Sequence, residues 1–154
     1  MQREFRKLAA SFRAAFNGLA RATKNERNFR IHICAVFYVL FFAIIGKIEY
    51  VHYPVIFMCF GTVMAVELIN SVTELLCDVV SDRFDMLLKA VKDMAAGAVL
   101  IAAVGSGAAG LFIFARFDII RNVMISLSEN HYHALLLILS IPVSVLYIAG
   151  RKKG

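Results

Sequence analysis

VELINSVTELLCD, residues Val66–Asp78, sets Glu67, Asn70, Glu74 and Asp78 into a run that is otherwise almost wholly apolar. Their separations of three, four and four residues put all four side chains on one face of an α-helix. The apolar run around them, from about Val51 to Val80, is long enough to cross a bilayer and protrude from it. The stretch therefore reads as the end of a transmembrane helix carrying acids where acids are costly.

Composition agrees with a membrane setting. Hydrophobic residues make up 60% of the 154 and charged ones only 18%, with a mean hydropathy of +0.73. A soluble domain carries roughly 45–50% apolar and about 25% charged residues. The excess is gathered into four segments: about Phe29–Ile45, Val51–Val80, Val91–Phe114 and His133–Gly150. A crossing helix needs roughly 20 apolar residues, within a range of about 17–25. Period-2 alternation is absent, which excludes the β-barrel, so the fold class is an all-α integral membrane protein.

Within Gln2–Ala22, Phe5, Leu8, Phe12, Phe16 and Leu19 recur at spacings of three and four among basic residues. That pattern predicts an amphipathic helix lying in the membrane interface, within residues 1–28. No cleavable signal pattern is expected there. With both termini on one side, fourteen Lys/Arg fall on that side and three on the other. This is a positive-inside bias, and it places the termini in the cytoplasm. The net charge of +6 needs no nucleic acid partner, since basic flanks facing anionic lipid account for it. Residues 116–154 read as a linker followed by an extra C-terminal span. His131 and His133 in it read as polar surface. Cys34, Cys59 and Cys77 show no CxxC spacing and read as small packing residues.

An acid at the centre of a bilayer costs about 2.5–3.5 kcal/mol on insertion scales. Asp78 and Glu74 lie near the cytoplasmic end, but Glu67 is on the order of 10 Å deeper than Glu74. Simple helix-to-helix adhesion would be achieved at lower cost by Asn or Ser. Grouped carboxylates near a membrane surface suit a hard cation, and Mg²⁺ in particular is held by one or two carboxylates plus phosphates. A carboxylate in a less polar setting is also suited to act as a general base. Together these are the minimum for phosphoryl transfer from ATP. NERNFRIH, residues 25–32, places Glu26 at the level of Glu74. KDMAAGAVLIA, residues 92–102, places Lys92 and Asp93 at the start of the third span, Lys92 for phosphates and Asp93 for a ribose or a basic neighbour. Small residues from Ala95 to Gly110, Ala96 among them, suit close helix packing. No Walker A or kinase Gly-rich loop is present. A small oligomeric transporter or ion-handling protein is the alternative. Between Val55 and Val66 only Thr62 is polar, so no polar path reaches the far side.

ELINSVTELLCD followed by KDMAAGAVLIA, and preceded by NGL and NERNFRIH, resembles the prokaryotic diacylglycerol kinase family, which includes the undecaprenol kinases. The resemblance covers about Lys7–Phe114, and the NERNFRIH form is closer to the undecaprenol kinase branch. It implies a homotrimeric membrane kinase in the bacterial inner membrane, with three core spans and active sites facing the cytoplasm. Glu67 would be the catalytic base toward the primary hydroxyl of a lipid alcohol, undecaprenol or diacylglycerol, with Asn70 orienting the carboxylates. Glu26 and Glu74 would hold Mg²⁺ on the phosphates of ATP. Lys7, Lys92 and Asp93 would contact the nucleotide, and Ala96 would join Glu67 at the lipid. Arg83, Phe84 and Asp85 stand where the family usually has an EYH-like stretch beside the nucleotide.

Overall fold

The computed structural model describes residues 2–81, 83 and 85–150, and among these every regular element is helical. The helices are α1 (Gln2–Asn25), α2 (Arg27–Ile45), α3 (Tyr53–Val80), α4 (Met86–Phe114), α5 (Phe117–Glu129) and α6 (His131–Ala149), with a 3₁₀ turn at Tyr50–His52. Four of them, α2, α3 with its 3₁₀ turn, α4 and α6, are long and apolar enough to cross a membrane. The four apolar segments of the sequence thus become the four candidate spans.

Helix α1 has the predicted amphipathic form. Only Ala22 is buried, and Phe5, Leu8, Phe12, Phe16 and Leu19 are exposed along one side. Such a side suits a lipid interface rather than water. Helices α3 and α4 pack along their length as an antiparallel hairpin. Pro54 occupies the first turn of α3, where its missing N–H is no loss.

The densest packing lies at the end of the bundle remote from the carboxylates. Ala43, Ile48, Ile56, Ile113 and Ile119 form a buried cluster there, flanked by Phe60 and Phe114. Here the linker of the sequence reading becomes α5, an amphipathic helix that crosses the α2–α3 turn. Ile119 is buried beneath it, and the Asn122 amide donates to the Gly46 carbonyl at 3.1 Å. His133, read as polar surface, instead bonds Ser126 at 2.8 Å and sits edge-on to Phe41.

The α2 terminus is a Schellman motif, with Ile48 N–H donating to Ala43 O at 3.0 Å and Lys47 N–H to Ile44 O at 3.1 Å. The left-handed position usually given to glycine is taken by Lys47, at φ 53°. The glycine stands one residue earlier, at Gly46, because α5 lies on it. A Cβ there would meet Phe42 O at 2.8 Å and Ile119 Cγ2 at 2.9 Å. Gly46→Ala is therefore expected to destabilise the fold by about 1–3 kcal/mol, as overpacking does. Thermal unfolding in detergent checks this.

Candidate active site

Helix α3 presents Glu67, Asn70 and Glu74 on one face, as the spacing predicts. Glu67 is 2% exposed and Asn70 6%, while Glu74 is exposed. The Asn70 amide nitrogen donates to Glu74 Oε1 at 3.1 Å, fixing that carboxylate against its own helix. Asn28 and His32 of α2 stand near Glu67. Glu26 and Glu74 are likewise near it. Glu26 at the α1–α2 joint and Glu67 and Glu74 of α3 thus lie at one end of the bundle. Glu26 sits at the joint between α1 and α2 as the N-cap residue of α2, yet its side chain makes no capping bond. Its carboxylate is left for other use.

Two polar atoms here lack partners: Glu67 Oε2 and Asn70 Oδ1 are both buried without a hydrogen bond. Roughly 90% or more of buried polar groups are satisfied in native proteins. Two neighbouring orphan acceptors mark a place prepared for donors or for a cation. Among the described residues, no three His, Cys, Asp or Glu side chains form a metal cage. One or two carboxylates completed by phosphates is instead the usual donor set for Mg²⁺, and Glu26 with Glu74 fits it.

Asn28 and His32 were not singled out in the sequence. The available signal was their separation by four residues at the start of an apolar helix, which puts both on one face. The other expected site residues are placed less uniformly. Lys92 bonds Asp78 across the α3–α4 hairpin, so Asp78 has a partner of its own. Asp93 and Ala96 are exposed on α4. Lys7 pairs with Glu4 at 3.0 Å, and it lies on the order of 28 Å along α1 from Glu26. Arg83 is exposed beside Ser81, where its backbone N–H donates to the serine hydroxyl at 3.1 Å. Phe84 lies outside the described residues. Arg83, Lys89 and Lys92 border a small pocket of about 210 Å³ at the hairpin loop.

Asp85 has a structural duty. Its Oδ1 accepts from Leu87 N–H at 2.7 Å and Leu88 N–H at 3.2 Å, capping α4. Asp85→Ala should cost about 0.5–2 kcal/mol through the lost cap. Asp85→Asn or Asp85→Ser should recover most of it. Unfolding temperatures of the three variants make the comparison.

An apolar cavity of about 480 Å³ opens between α2, α3 and α4. His32, Val63 and Met64 line the end nearest Glu67, and Ile56, Ile113 and Phe114 line the far end. Among the described residues, Ser106 and His32 are the hydroxyl and charge-bearing side chains on its wall. The cavity lies in the apolar part of the bundle, with Met64 one turn of α3 before Glu67 at its nearer end.

The sequence model of the family described as "Prokaryotic diacylglycerol kinase" matches residues 13–114. This chain belongs to that family. The undecaprenol kinase of Bacillus subtilis (strain 168) is 35% identical over 111 residues, covering 72% of this chain and 90% of the relative. The diacylglycerol kinase of Synechocystis sp. (strain ATCC 27184 / PCC 6803 / Kazusa) is 37% identical over 100 residues, covering 64% of this chain and 57% of the relative. No solved structure gives a significant match. As a member of the prokaryotic diacylglycerol kinase family, with four helices long and apolar enough to cross a membrane, the protein is a lipid kinase. The match ends with the last residue of α4, so α5 and α6 lie beyond it.

Proposed function

We propose that the kinase transfers the γ-phosphate of ATP to the primary hydroxyl of undecaprenol, with Glu67 as general base. The supporting observation is the buried, unpartnered Oε2 of Glu67, beside the Asn70–Glu74 pair and one helical turn from the apolar cavity that Met64 lines. The lipid hydroxyl donates to that oxygen. As the hydroxyl oxygen attacks the γ-phosphorus, its proton passes to Glu67 and ADP leaves. Glu26 and Glu74 would hold Mg²⁺, which would supply neutralisation of charge on the phosphates. Asn70 would hold the Glu74 carboxylate in place through its hydrogen bond, while Lys92 and Asp93 would contact the nucleotide. Arg83 at the hairpin loop is on the side of the base end of the nucleotide, whereas Lys7, about 28 Å along α1 from Glu26, is too far within one chain to join it. Little covalent work is asked of the protein beyond taking the proton, since positioning and electrostatics supply most of the acceleration in phosphoryl transfer.

The apolar wall favours undecaprenol over diacylglycerol, because an isoprenoid tail brings no ester groups needing donors. It also disfavours the transporter alternative, which would need polar groups along the path. The membrane is the bacterial inner membrane, with the acids facing the cytoplasm as the charge bias suggests. A homotrimer follows the family resemblance. It would cover part of the exposed apolar surface of α4, where Leu100, Ile101, Leu111 and Phe112 are all unburied.

The test compares labelled phosphate transfer to undecaprenol and to diacylglycerol in Mg²⁺. Faster transfer to undecaprenol is expected, and preference for diacylglycerol would reverse the choice of lipid. The cavity gives a second handle. A Cβ on Gly107, which lines it, meets nothing within 4 Å, so a larger side chain can enter the space. Gly107→Leu should raise the lipid KM by about tenfold, on the order of 1.4 kcal/mol, with the ATP KM unchanged. An unchanged lipid KM would move the tail elsewhere.

A further inference from the structure

Helices α5 and α6 lie beyond the family match, yet they grip α2 along its length. Asn122 of α5 holds Gly46 O at one end, and Tyr38 and Ser144 share a hydrogen bond of 3.0 Å midway. At the other end stands Arg30, 6% exposed and one turn beyond Glu26 on α2. Its Nη1 donates to Lys24 O at 2.9 Å and Thr23 O at 3.4 Å, in the last turn of α1. Its Nη2 donates to Gly150 O at 3.0 Å and Ile148 O at 3.2 Å, at the end of α6.

All four acceptors are carbonyls at helix C-termini, where the last carbonyls lack intrahelical partners and the helix dipole is negative. One planar guanidinium therefore ties two helix ends together, and a point-like ammonium lacks the fork to do the same. The tied joint is the α1–α2 elbow, and Glu26 is the residue at that elbow. Without the clasp, the elbow would depend on Phe29 and Ala22, its buried apolar residues.

We infer that the α5–α6 extension positions the active site: the end of α6 locks Arg30, and Arg30 fixes the elbow that aims the Glu26 carboxylate. Arg30 is a positioning residue, acting through Glu26 and touching neither lipid nor nucleotide. The inference rests on the proposed metal role of Glu26, and its test separates the two.

The full-length kinase is assayed as Arg30→Lys and as Ala149→Pro. The proline pushes Ile148 out of helical geometry and turns its carbonyl away from Arg30, leaving the guanidinium itself intact. Each variant is also made in a Glu26→Gln background. Half-saturating Mg²⁺, the ATP KM and the lipid KM are read in all of them. Arg30→Lys and Ala149→Pro should each raise half-saturating Mg²⁺ by about tenfold, the scale seen when a residue supporting a metal ligand is changed. The lipid KM should not move, and neither substitution should add to Glu26→Gln. A merely structural clasp would shift all three constants together, or add fully to Glu26→Gln, and either result overturns the inference. If Glu26→Gln alone leaves the Mg²⁺ requirement unchanged, the metal role of Glu26 fails first. Should Arg30→Lys not fold, Ala149→Pro carries the same comparison from the α6 side.

Discussion

Glu67→Gln is expected to lower lipid phosphorylation by about 10²–10⁴-fold, the usual contribution of a positioned general base. The amide keeps the volume and the hydrogen-bonding shape of the carboxylate but cannot accept the proton of the lipid hydroxyl. The same substitution should leave the fold at least as stable as before. Glu67 is buried with one oxygen unpartnered, so its charge is carried at a cost that the neutral amide avoids. A loss of rate joined to an equal or higher unfolding temperature separates a catalytic group from a packing group. A packing role would give a lower unfolding temperature and a modest change in rate.

The second large effect concerns the metal. Glu26→Gln and Glu74→Gln should each raise the Mg²⁺ needed for half-maximal rate by at least about tenfold, since each removes one of two protein carboxylates from the site. The two differ in what they disturb besides metal. Glu74 is held by Asn70, so Glu74→Gln also releases that amide. Glu26 makes no capping bond, so Glu26→Gln should leave the unfolding temperature unchanged. Mg²⁺ titrations of the initial rate, with thermal unfolding of the same samples, provide both readouts. An unchanged Mg²⁺ requirement in both variants would take the metal away from this pair.

Much of this arrangement was legible in residue order. Spans announce themselves by length and apolarity, so α2, α3, α4 and α6 follow the four segments closely. The register of Glu67, Asn70 and Glu74 is a property of the helical repeat, and no tertiary information was needed to place them on one face. Other features depend on partners distant in sequence. Arg30 is one of many basic residues before α2 and reads as a flanking charge, because its acceptors on α6 are more than a hundred residues away. Lys92 and Asp78 read as separate polar ends until the hairpin brings them together. Helix α5 is short, with its charges and amides interrupting the apolar pattern, and its identity as a helix follows from docking Ile119 on the α2–α3 turn. Asp85 could have been read as a cap, since an aspartate just before an apolar run is a common helix start.

In the proposed reaction the acids at the cytoplasmic end of α2 and α3 serve phosphate transfer to a lipid hydroxyl, with Glu67 taking the proton. The most direct test is transfer of labelled γ-phosphate from ATP to undecaprenol in Mg²⁺ by the wild-type chain and by Glu67→Gln, with ATP binding measured on both. Rapid transfer by the wild type and its near-disappearance in the variant, at equal ATP affinity, is the predicted result. Transfer by Glu67→Gln at a rate close to wild type would exclude Glu67 as the base.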